Sequence, residues 1–333
     1  MRYIETQSYD AAFHFSVEEY LLGQGRPAMM LWQTDNCAML GANQVAQAEI
    51  DLRFAEQQGI QIVRRASGGG TIFTDMGTLL YTMILPQDSD RSPMEQAREQ
   101  VAGPVAQALN RMRVDAKIEG RNDILVAGKK ISGFAQYMRR GWVCTHGSLL
   151  YDTNLDMLAR VLRVDDEKIR SKALKSVRSR VTNIKEHMPG AGSTQVFLQT
   201  LKAELFARQG AELYTLTQDD LLQVDEIYRA QYGNPAWTYE RAPKFSCHAA
   251  KRFVGGKVEF YFEIERGLVE TSAIRGDFLS IVPIAGLEQA LVGAQFTPQG
   301  MAKRLGEIDL KPYLGNISKE EVLACLFGQG SAA

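Results

Sequence analysis

Arg64-Arg65-Ala66-Ser67-Gly68-Gly69-Gly70 places two cations, a hydroxyl and three consecutive glycines side by side. Those residue types describe a surface built to receive an anion. Glycine lets backbone N–H groups approach a phosphate closely and tolerates positive φ. Arginine adds a planar fork of donors that keeps its charge. The spacing matches neither a P-loop, which ends in Gly-Lys-Ser/Thr, nor a G-x-G-x-x-G that opens a helix. A tight all-glycine turn would use the same residues. Three further clusters carry chemistry. In Gly120-Arg121-Asn122-Asp123, Asp123 is either half of a turn-forming Asn-Asp pair or a lone carboxylate for Mg²⁺, a hard cation that favours oxygen ligands and phosphate partners. In Gly128-Lys129-Lys130-Ile131-Ser132-Gly133-Phe134-Ala135, the two lysines must face opposite sides of a strand. One can serve a pocket as a point charge for a phosphate or for a carbonyl oxygen gaining negative charge; a solvated hairpin corner would look the same. In Cys144-Thr145-His146-Gly147-Ser148, Cys144 and His146 share a strand face. That spacing suits a Cys/His nucleophile and equally a buried thiol beside a core histidine.

These side chains need elements to hold them. Gln61-Ile62-Val63 reads as a strand before the glycine loop and Thr71-Ile72-Phe73 as a strand after it, so the loop is expected to be a hairpin-like turn. Residues 2–6, 29–32, 38–40 and 78–85 are further strands. Asp10 is placed to cap a helix that carries Phe13, Val17, Tyr20 and Leu21 on one face and ends at Gly23. Residues 51–58 form a helix stopped by Gly59, and 93–110 a long helix with Val101, Val105 and Leu109 on its apolar side. Residues 117–150 are strand-rich, with turns at Gly120-Arg121-Asn122, Gly128-Lys129 and Arg139-Arg140-Gly141. A basic stretch runs from Lys168 to Lys185; it reads as a solvated helix face or as a surface that steers an acidic partner. A helix near 194–208 follows, and Tyr232-Gly233-Asn234-Pro235-Ala236-Trp237 reads as a linker. Residues 250–278 give short strands turning at Gly255-Gly256 and Arg266-Gly267, and two or three short helices finish the chain, one capped by Ser318. Hairpins mixed with isolated helices imply an α+β fold, not a doubly wound sheet.

The chain has 333 residues, enough for two domains, expected at 1–240 and 246–333. A net charge of −1 gives no global draw to nucleic acid or a membrane surface. No apolar run approaches the roughly 20 residues of a membrane span, and the N-terminus lacks the apolar core of a signal peptide. Cys37, Cys144, Cys247 and Cys325 are widely spaced and read as reduced thiols of a cytoplasmic protein. His14, His146, His187 and His248 are too scattered to suggest zinc.

Taken in order, R-R-x-S-G-G-G at 64–70, G-R-N-D at 120–123, K-x-S-G-x-A at 130–135 and H-G-x-L-L at 146–150 resemble the lipoate–protein ligases. Residues 176–184 are similar to that family's adenylate-binding loop. Pro243-Lys244-Phe245, Arg252-Phe253 and Gly276-Asp277-Phe278 are similar to its small accessory domain. The resemblance covers nearly the whole chain. It implies a mixed-sheet biotin/lipoate ligase-like catalytic domain followed by a small α+β C-terminal domain. It implies a two-step reaction: ATP and lipoic acid give lipoyl-AMP, and a lysine of a carrier domain then takes the lipoyl group. The carrier would be the glycine-cleavage H protein or an acyltransferase subunit of a 2-oxoacid dehydrogenase. Lys130 matches the lysine that touches both the carboxylate of lipoate and the phosphate of AMP. ATP and adenylate contacts carry over to Arg65, Gly70, Thr71, Ile72, Phe73, Lys130, Arg178 and Arg180. Lipoate contacts carry over to Ser67, Gly68, Gly69, Gly70, Lys130, His146 and Gly147, and Mg²⁺ to Asp123. A monomer without nucleic-acid or membrane partners is expected.

Two departures stand out. The family's H-D-x-G-N is Thr74-Asp75-Met76-Gly77-Thr78 here, and its G-[RK]-x-Q-N is Gly41-Ala42-Asn43-Gln44-Val45. These changes bear on affinity, on the choice of lipoate or octanoate, and on the acceptor. The related octanoyl and lipoyl transferases share the fold but work through a cysteine thioester without ATP, for which Cys144 is the candidate. A lipoyl-carrier binding protein with weakened catalysis is a further alternative.

Overall fold

The computed structural model describes residues 1–162, 179–239 and 247–327. Its strands are β1 (Arg2–Ile4), β2 (Ala28–Trp32), β3 (Cys37–Leu40), β4 (Gln61–Arg64), β5 (Ile72–Thr74), β6 (Thr78–Pro86), β7 (Lys117–Glu119), β8 (Asp123–Val126), β9 (Lys129–Arg139), β10 (Trp142–Leu150), β11 (Glu212–Tyr214), β12 (Cys247–Phe253), β13 (Gly256–Glu265) and β14 (Leu268–Gly276). The near-continuous apolar run of β6 marks a strand covered on both faces. It lies inside an eight-stranded sheet ordered β11-β1-β2-β6-β10-β9-β8-β7. The sheet is mixed: β1 runs parallel to β2 and β11, and the other pairs are antiparallel. Side-chain alternation then divides the core. Met29, Leu31, Leu79, Tyr81 and Met83 pack with Val105, Leu109, Phe197 and Leu201 on one face. Met30, Trp32, Leu80 and Ile84 pack against helix α1 (Ala11–Gly23) on the other.

Asp10 caps α1 by accepting a hydrogen bond from Ala12 N. The helix does not show the expected single apolar face. It is covered nearly all round, by the sheet on one side and by Val224 and Tyr232 on another. His14, Glu18 and Glu19 are therefore buried, and each has a partner. The long helix begins as α over Pro93–Gln96, opens into a π turn over Ala97–Ala102 and resumes over Gly103–Arg111. Pro104 explains the break, since it lacks an N–H and its ring crowds the carbonyl one turn back.

The glycine loop is not a hairpin. β3 lies between β4 and β5, parallel to β4 and antiparallel to β5. Leu40 takes the pairing position beside Arg64, and residues 65–71 carry the chain across the end of β3. The stretch read as a linker is also ordered differently, with a π turn over Tyr228–Tyr232 and a helix over Pro235–Tyr239.

From Cys247 onward, β12, β13 and β14 form an antiparallel sheet. Val258, Phe260 and Phe262 alternate onto one face and pack with Leu287, Met301, Leu314 and Val322. Four short helices follow where two or three were expected: Ala285–Leu291, Pro298–Gly306, Lys311–Leu314 and Lys319–Phe327. Ser318 Oγ accepts from Glu321 N at 3.2 Å, and Glu321 Oε2 accepts from Ser318 N at 2.8 Å, a reciprocal cap. Among the described residues no helix is long and apolar enough to cross a membrane.

Candidate active site

β4 ends at Arg64, so Arg64 and Arg65 point to opposite sides of the backbone. Arg64 is fully buried. Its guanidinium donates to Gly41 O (2.9 Å), Ala42 O (3.2 Å), Gln44 O (2.6 Å), Trp237 O (2.9 Å) and Thr238 O (2.7 Å). Arg65 turns inward and shapes the glycine loop. It donates to Met39 O (2.9 Å), Gly68 O (2.9 Å), Gly70 O (2.8 Å) and Ser67 Oγ (3.1 Å). Burial pulls its pKa down to about 10, with Glu18 opposing, so it stays charged at neutral pH.

The carboxylate that answers Arg65 lies three side chains away. Arg65 Nε donates to Ser67 Oγ, which lies 2.6 Å from His146 Nε2; His146 Nδ1 lies 2.9 Å from Glu18 Oε2, and Thr82 Oγ1 donates to Glu18 Oε1 at 2.5 Å. Arg65 has only donors and Glu18 accepts at both oxygens. A neutral His146 therefore carries its hydrogen on Nδ1 and accepts from Ser67 at Nε2. The relay joins a buried cation to a buried anion and locks loop, β10 and α1 together. Cys144 brings its sulfur within 4.8 Å of the Glu18 and His146 ligand atoms. The histidine nitrogens and carboxylate oxygens of this group are already committed to hydrogen bonds.

Beside the relay is a cavity of about 270 Å³. Phe15, Trp32, Met39, Ile72 and Leu80 give it an apolar wall. Gly69, Gly70 and Thr71 of the loop, Lys130 of β9, and Arg121 and Asn122 of the β7–β8 turn give it a polar one. His146, Gly147 and Arg65 also line it, and Asp277 reaches it from the C-terminal region. The two lysines separate as strand alternation requires: Lys130 faces this cavity, and Lys129 faces a different cleft with Thr153 and Thr182. Lys130 Nζ lies 2.7 Å from Asp123 Oδ1, both side chains 36 % exposed. The Lys130 carbonyl accepts from Thr182 N at 3.1 Å, which ties the segment after Arg180 to β9. Arg180 itself is exposed and does not line the cavity. Arg178, and most of the basic stretch from 168 to 185, fall outside the described residues.

Comparison with known proteins places this geometry. The model of the lipoyl protein ligase A/B catalytic domain matches residues 10–206, and that of the bacterial lipoate protein ligase C-terminus matches 242–326. The chain belongs to the lipoate–protein ligase family. Lipoate-protein ligase LplJ of Bacillus subtilis is 34% identical over 334 residues, covering 98% of this chain and 100% of that protein. A solved bi-partite lipoate protein ligase from Thermoplasma acidophilum, studied with its E2 lipoyl domain, is 27% identical at a TM-score of 0.66, covering 74% of this chain and 98% of that one. A lipoate-protein ligase A solved with ATP shares the fold at 23% identity and a TM-score of 0.61, covering 71% and 97%. The ligase is an enzyme of α+β class, with the mixed sheet its relatives share and a separate small C-terminal sheet.

Within the ligase, several expected site residues sit behind the cavity wall. Ser67 is fully buried, with its hydroxyl spent in the relay. Phe73 packs into the core around β3 and leaves only its backbone near the loop. Gly68 lies behind the wall and Gly69 on it, and both also meet the C-terminal region: Gly69 N donates to Phe278 O at 3.0 Å, and a Cβ on Gly68 would lie 2.7 Å from Phe278 O and 2.8 Å from Ser280 N. A Cβ on Gly70 would meet nothing nearer than 3.9 Å. Gly68→Ala is thus expected to destabilise by about 1–3 kcal/mol through overpacking and to speed hydrogen exchange over residues 276–281. Gly70→Ala should stay within about 0.5 kcal/mol of wild type. Equal exchange in the two variants would disprove the contact's role.

Both departures from the family pattern are satisfied locally. Thr74 Oγ1 is 2.7 Å from Thr34 Oγ1, and Thr78 Oγ1 is 2.8 Å from Thr153 Oγ1, all buried. Ala42, where the family has a cation, lines a separate cavity of about 600 Å³ with Arg275 and Ile281. Cys144 is fully buried, does not line the active-site cavity, and has its thiol pKa pushed well up by burial and by Glu18. Sequence reading missed Glu18, Arg64's role and Asp277. The alternation used for Lys129 and Lys130 would have separated Arg64 from Arg65, and the adjacent carboxylates Glu18 and Glu19 inside a mostly apolar helix were the visible sign of Glu18.

Proposed function

We propose that the enzyme joins lipoic acid to a carrier lysine through an acyl adenylate made from ATP. The observation that carries this reading is one cavity lined both by apolar side chains that suit an alkyl chain and by the Lys130 ammonium and a glycine-containing loop. In the first half-reaction the lipoate carboxylate oxygen attacks the α-phosphorus of ATP, and the bond to the β-phosphate oxygen breaks to release pyrophosphate. In the second, the carrier's ε-amine attacks the acyl carbon; the C–N bond forms, the C–O bond to AMP breaks, and the amine loses a proton. Lys130 neutralises carboxylate and α-phosphate together, while Gly70, Thr71 and Ile72 fix the nucleotide from the loop side. Arg65 acts by holding that loop. No side-chain nucleophile is required, because adenylation activates the acyl group and the protein positions and neutralises.

Mg²⁺ fits Asp123. One protein carboxylate, with phosphate oxygens and waters completing the shell, is the coordination this ion favours. It would supply further charge neutralisation at the phosphates. The relative studied with its E2 lipoyl domain supports a lipoyl domain as acceptor; an H protein is the other candidate. We read the enzyme as a cytoplasmic monomer, its four cysteines being free thiols as a reducing compartment keeps them.

A thioester route needs an accessible thiolate, and Cys144 is sealed and protonated. Cys144→Ala is expected to keep ATP-dependent lipoylation within about threefold of wild type, because a small buried thiol is replaced by a methyl. The deciding experiment is mass spectrometry of candidate carriers incubated with enzyme, ATP, Mg²⁺ and lipoate or octanoate. A gain of one lipoyl amide that needs ATP supports the ligase. Hydroxylamine-labile acyl-enzyme formed without ATP and lost in Cys144→Ala would replace this reading with the transferase.

A further inference from the structure

We propose that Arg121 binds the phosphates of ATP that depart as pyrophosphate. Arg121 sits in the turn between β7 and β8, held there by Arg98, whose Nη1 donates to Gly120 O at 2.7 Å. Its side chain lines the active-site cavity with Lys130 and Asn122. One guanidinium N–H donates to Gly255 O of the C-terminal region. Of the five donors a guanidinium carries, the rest meet no hydrogen-bond acceptor among the described residues. Burial works against its charge, and Asp277 and Asp123 support it from a distance. Both of those carboxylates are engaged elsewhere: Asp123 with Lys130 at 2.7 Å, Asp277 with Arg252 at 3.0 Å and with Lys257 N at 2.5 Å. Arg121 is thus a half-buried cation facing a cavity with most of its fork unused. A planar fork of that kind matches phosphate oxygens two at a time.

The assignment rests on the adenylate reading. That reading gives Lys130 to the carboxylate and the α-phosphate, which leaves the β- and γ-phosphates without an assigned side-chain cation among the described residues of the cavity wall. When the α-phosphorus–oxygen bond breaks, the electron pair stays on the pyrophosphate oxygen, and among the described residues Arg121 is the unassigned cation on the cavity wall that can meet it. The contact with Gly255 joins the same side chain to the C-terminal region, so the residue that receives the leaving group also touches the element seated on the glycine loop.

The test separates the two half-reactions in the full-length chain. Arg121→Ala is expected to raise the KM for ATP and the KM for pyrophosphate in lipoate-dependent ATP–pyrophosphate exchange by roughly 10- to 100-fold each, the range of a charged hydrogen bond. Transfer of the lipoyl group from preformed lipoyl-adenylate to a carrier should stay within about twofold of wild type, because the adenylate has neither a β- nor a γ-phosphate; it also reports that the variant is folded. KM values for ATP and pyrophosphate within twofold of wild type would overturn the proposal. So would an equal loss in exchange and in transfer, which would reduce Arg121 to a strut for Gly255. If the wild-type chain shows no lipoate-dependent exchange, the adenylate reading itself falls and takes this one with it, and no variant is needed to see that.

Discussion

Replacing Lys130 with methionine is expected to lower lipoate-dependent ATP–pyrophosphate exchange by about 10²-fold or more, the range for removing one preorganised charge-stabilising group. Methionine keeps most of the length and the apolar stem and removes the ammonium. Adenylation must bring a carboxylate against a triphosphate, and two anions meet only where a cation stands between them. At about 4 Å and an effective dielectric of about 20, one ammonium is worth about 4 kcal/mol to a unit anion. Asp123 sharpens the effect. Its carboxylate is 2.7 Å from Lys130 Nζ in the wild-type protein, and without that partner it adds negative charge at the place where phosphates must enter. Stability should barely change, because a pair this exposed contributes about 0–1 kcal/mol. Loss of exchange with an unchanged unfolding transition is therefore the expected signature. Wild-type exchange by Lys130→Met would remove the ammonium from the chemistry.

What could be read from the sequence was what depends on near neighbours. Three hairpins turn at X-Gly pairs with positive φ at both positions: Ala127 and Gly128 (49° and 73°), Arg140 and Gly141 (50° and 78°), Arg266 and Gly267 (50° and 79°). The separation of Lys129 from Lys130, the shared face of Cys144 and His146, and the caps at Asp10 and Ser318 follow from two- and three-residue periodicities. Apart from the break before Pro104, which is local, the misreadings involve partners distant in the chain. β3 enters between β4 and β5 because residues 37–40 pair with β4 and residues 37–39 with β5, and nothing inside the glycine loop reports it. Glu18 finds Thr82 and His146, 64 and 128 positions away. Gly68 and Gly69 also receive Phe278 and Ser280 of the C-terminal region, contacts that no residue near the loop announces. The glycines were correctly seen as sites of close approach; which group approaches is set by tertiary packing.

Arg64→Met should destabilise the enzyme by about 3–5 kcal/mol, less than the full sum of about 1–3 kcal/mol for each buried acceptor left without a donor, since some carbonyls will find water. For a domain of this size, that lowers the melting temperature by roughly 10 °C. The reason is topological. One fully buried guanidinium serves carbonyls of two separate segments, Gly41, Ala42 and Gln44 on one side and Trp237 and Thr238 on the other. Trp237 Nε1 returns a bond to Arg64 O at 2.9 Å. The first segment also positions Gln44, whose side-chain oxygen accepts from Gly41 N at 2.9 Å and from Thr71 Oγ1 at 2.8 Å at the exit of the glycine loop. Loss of Arg64 therefore loosens the loop as well as the fold, and KM for ATP should rise in whatever fraction stays folded. Arg64→Lys is expected to recover less than half of the lost stability: an ammonium presents its donors from one point and cannot span two groups of carbonyls as a planar fork does. Urea unfolding followed by tryptophan fluorescence measures both variants. A free energy for Arg64→Met within about 1 kcal/mol of wild type would mean that the two carbonyl groups hold together without the guanidinium, and that the strand end at Arg64 does not organise this side of the site.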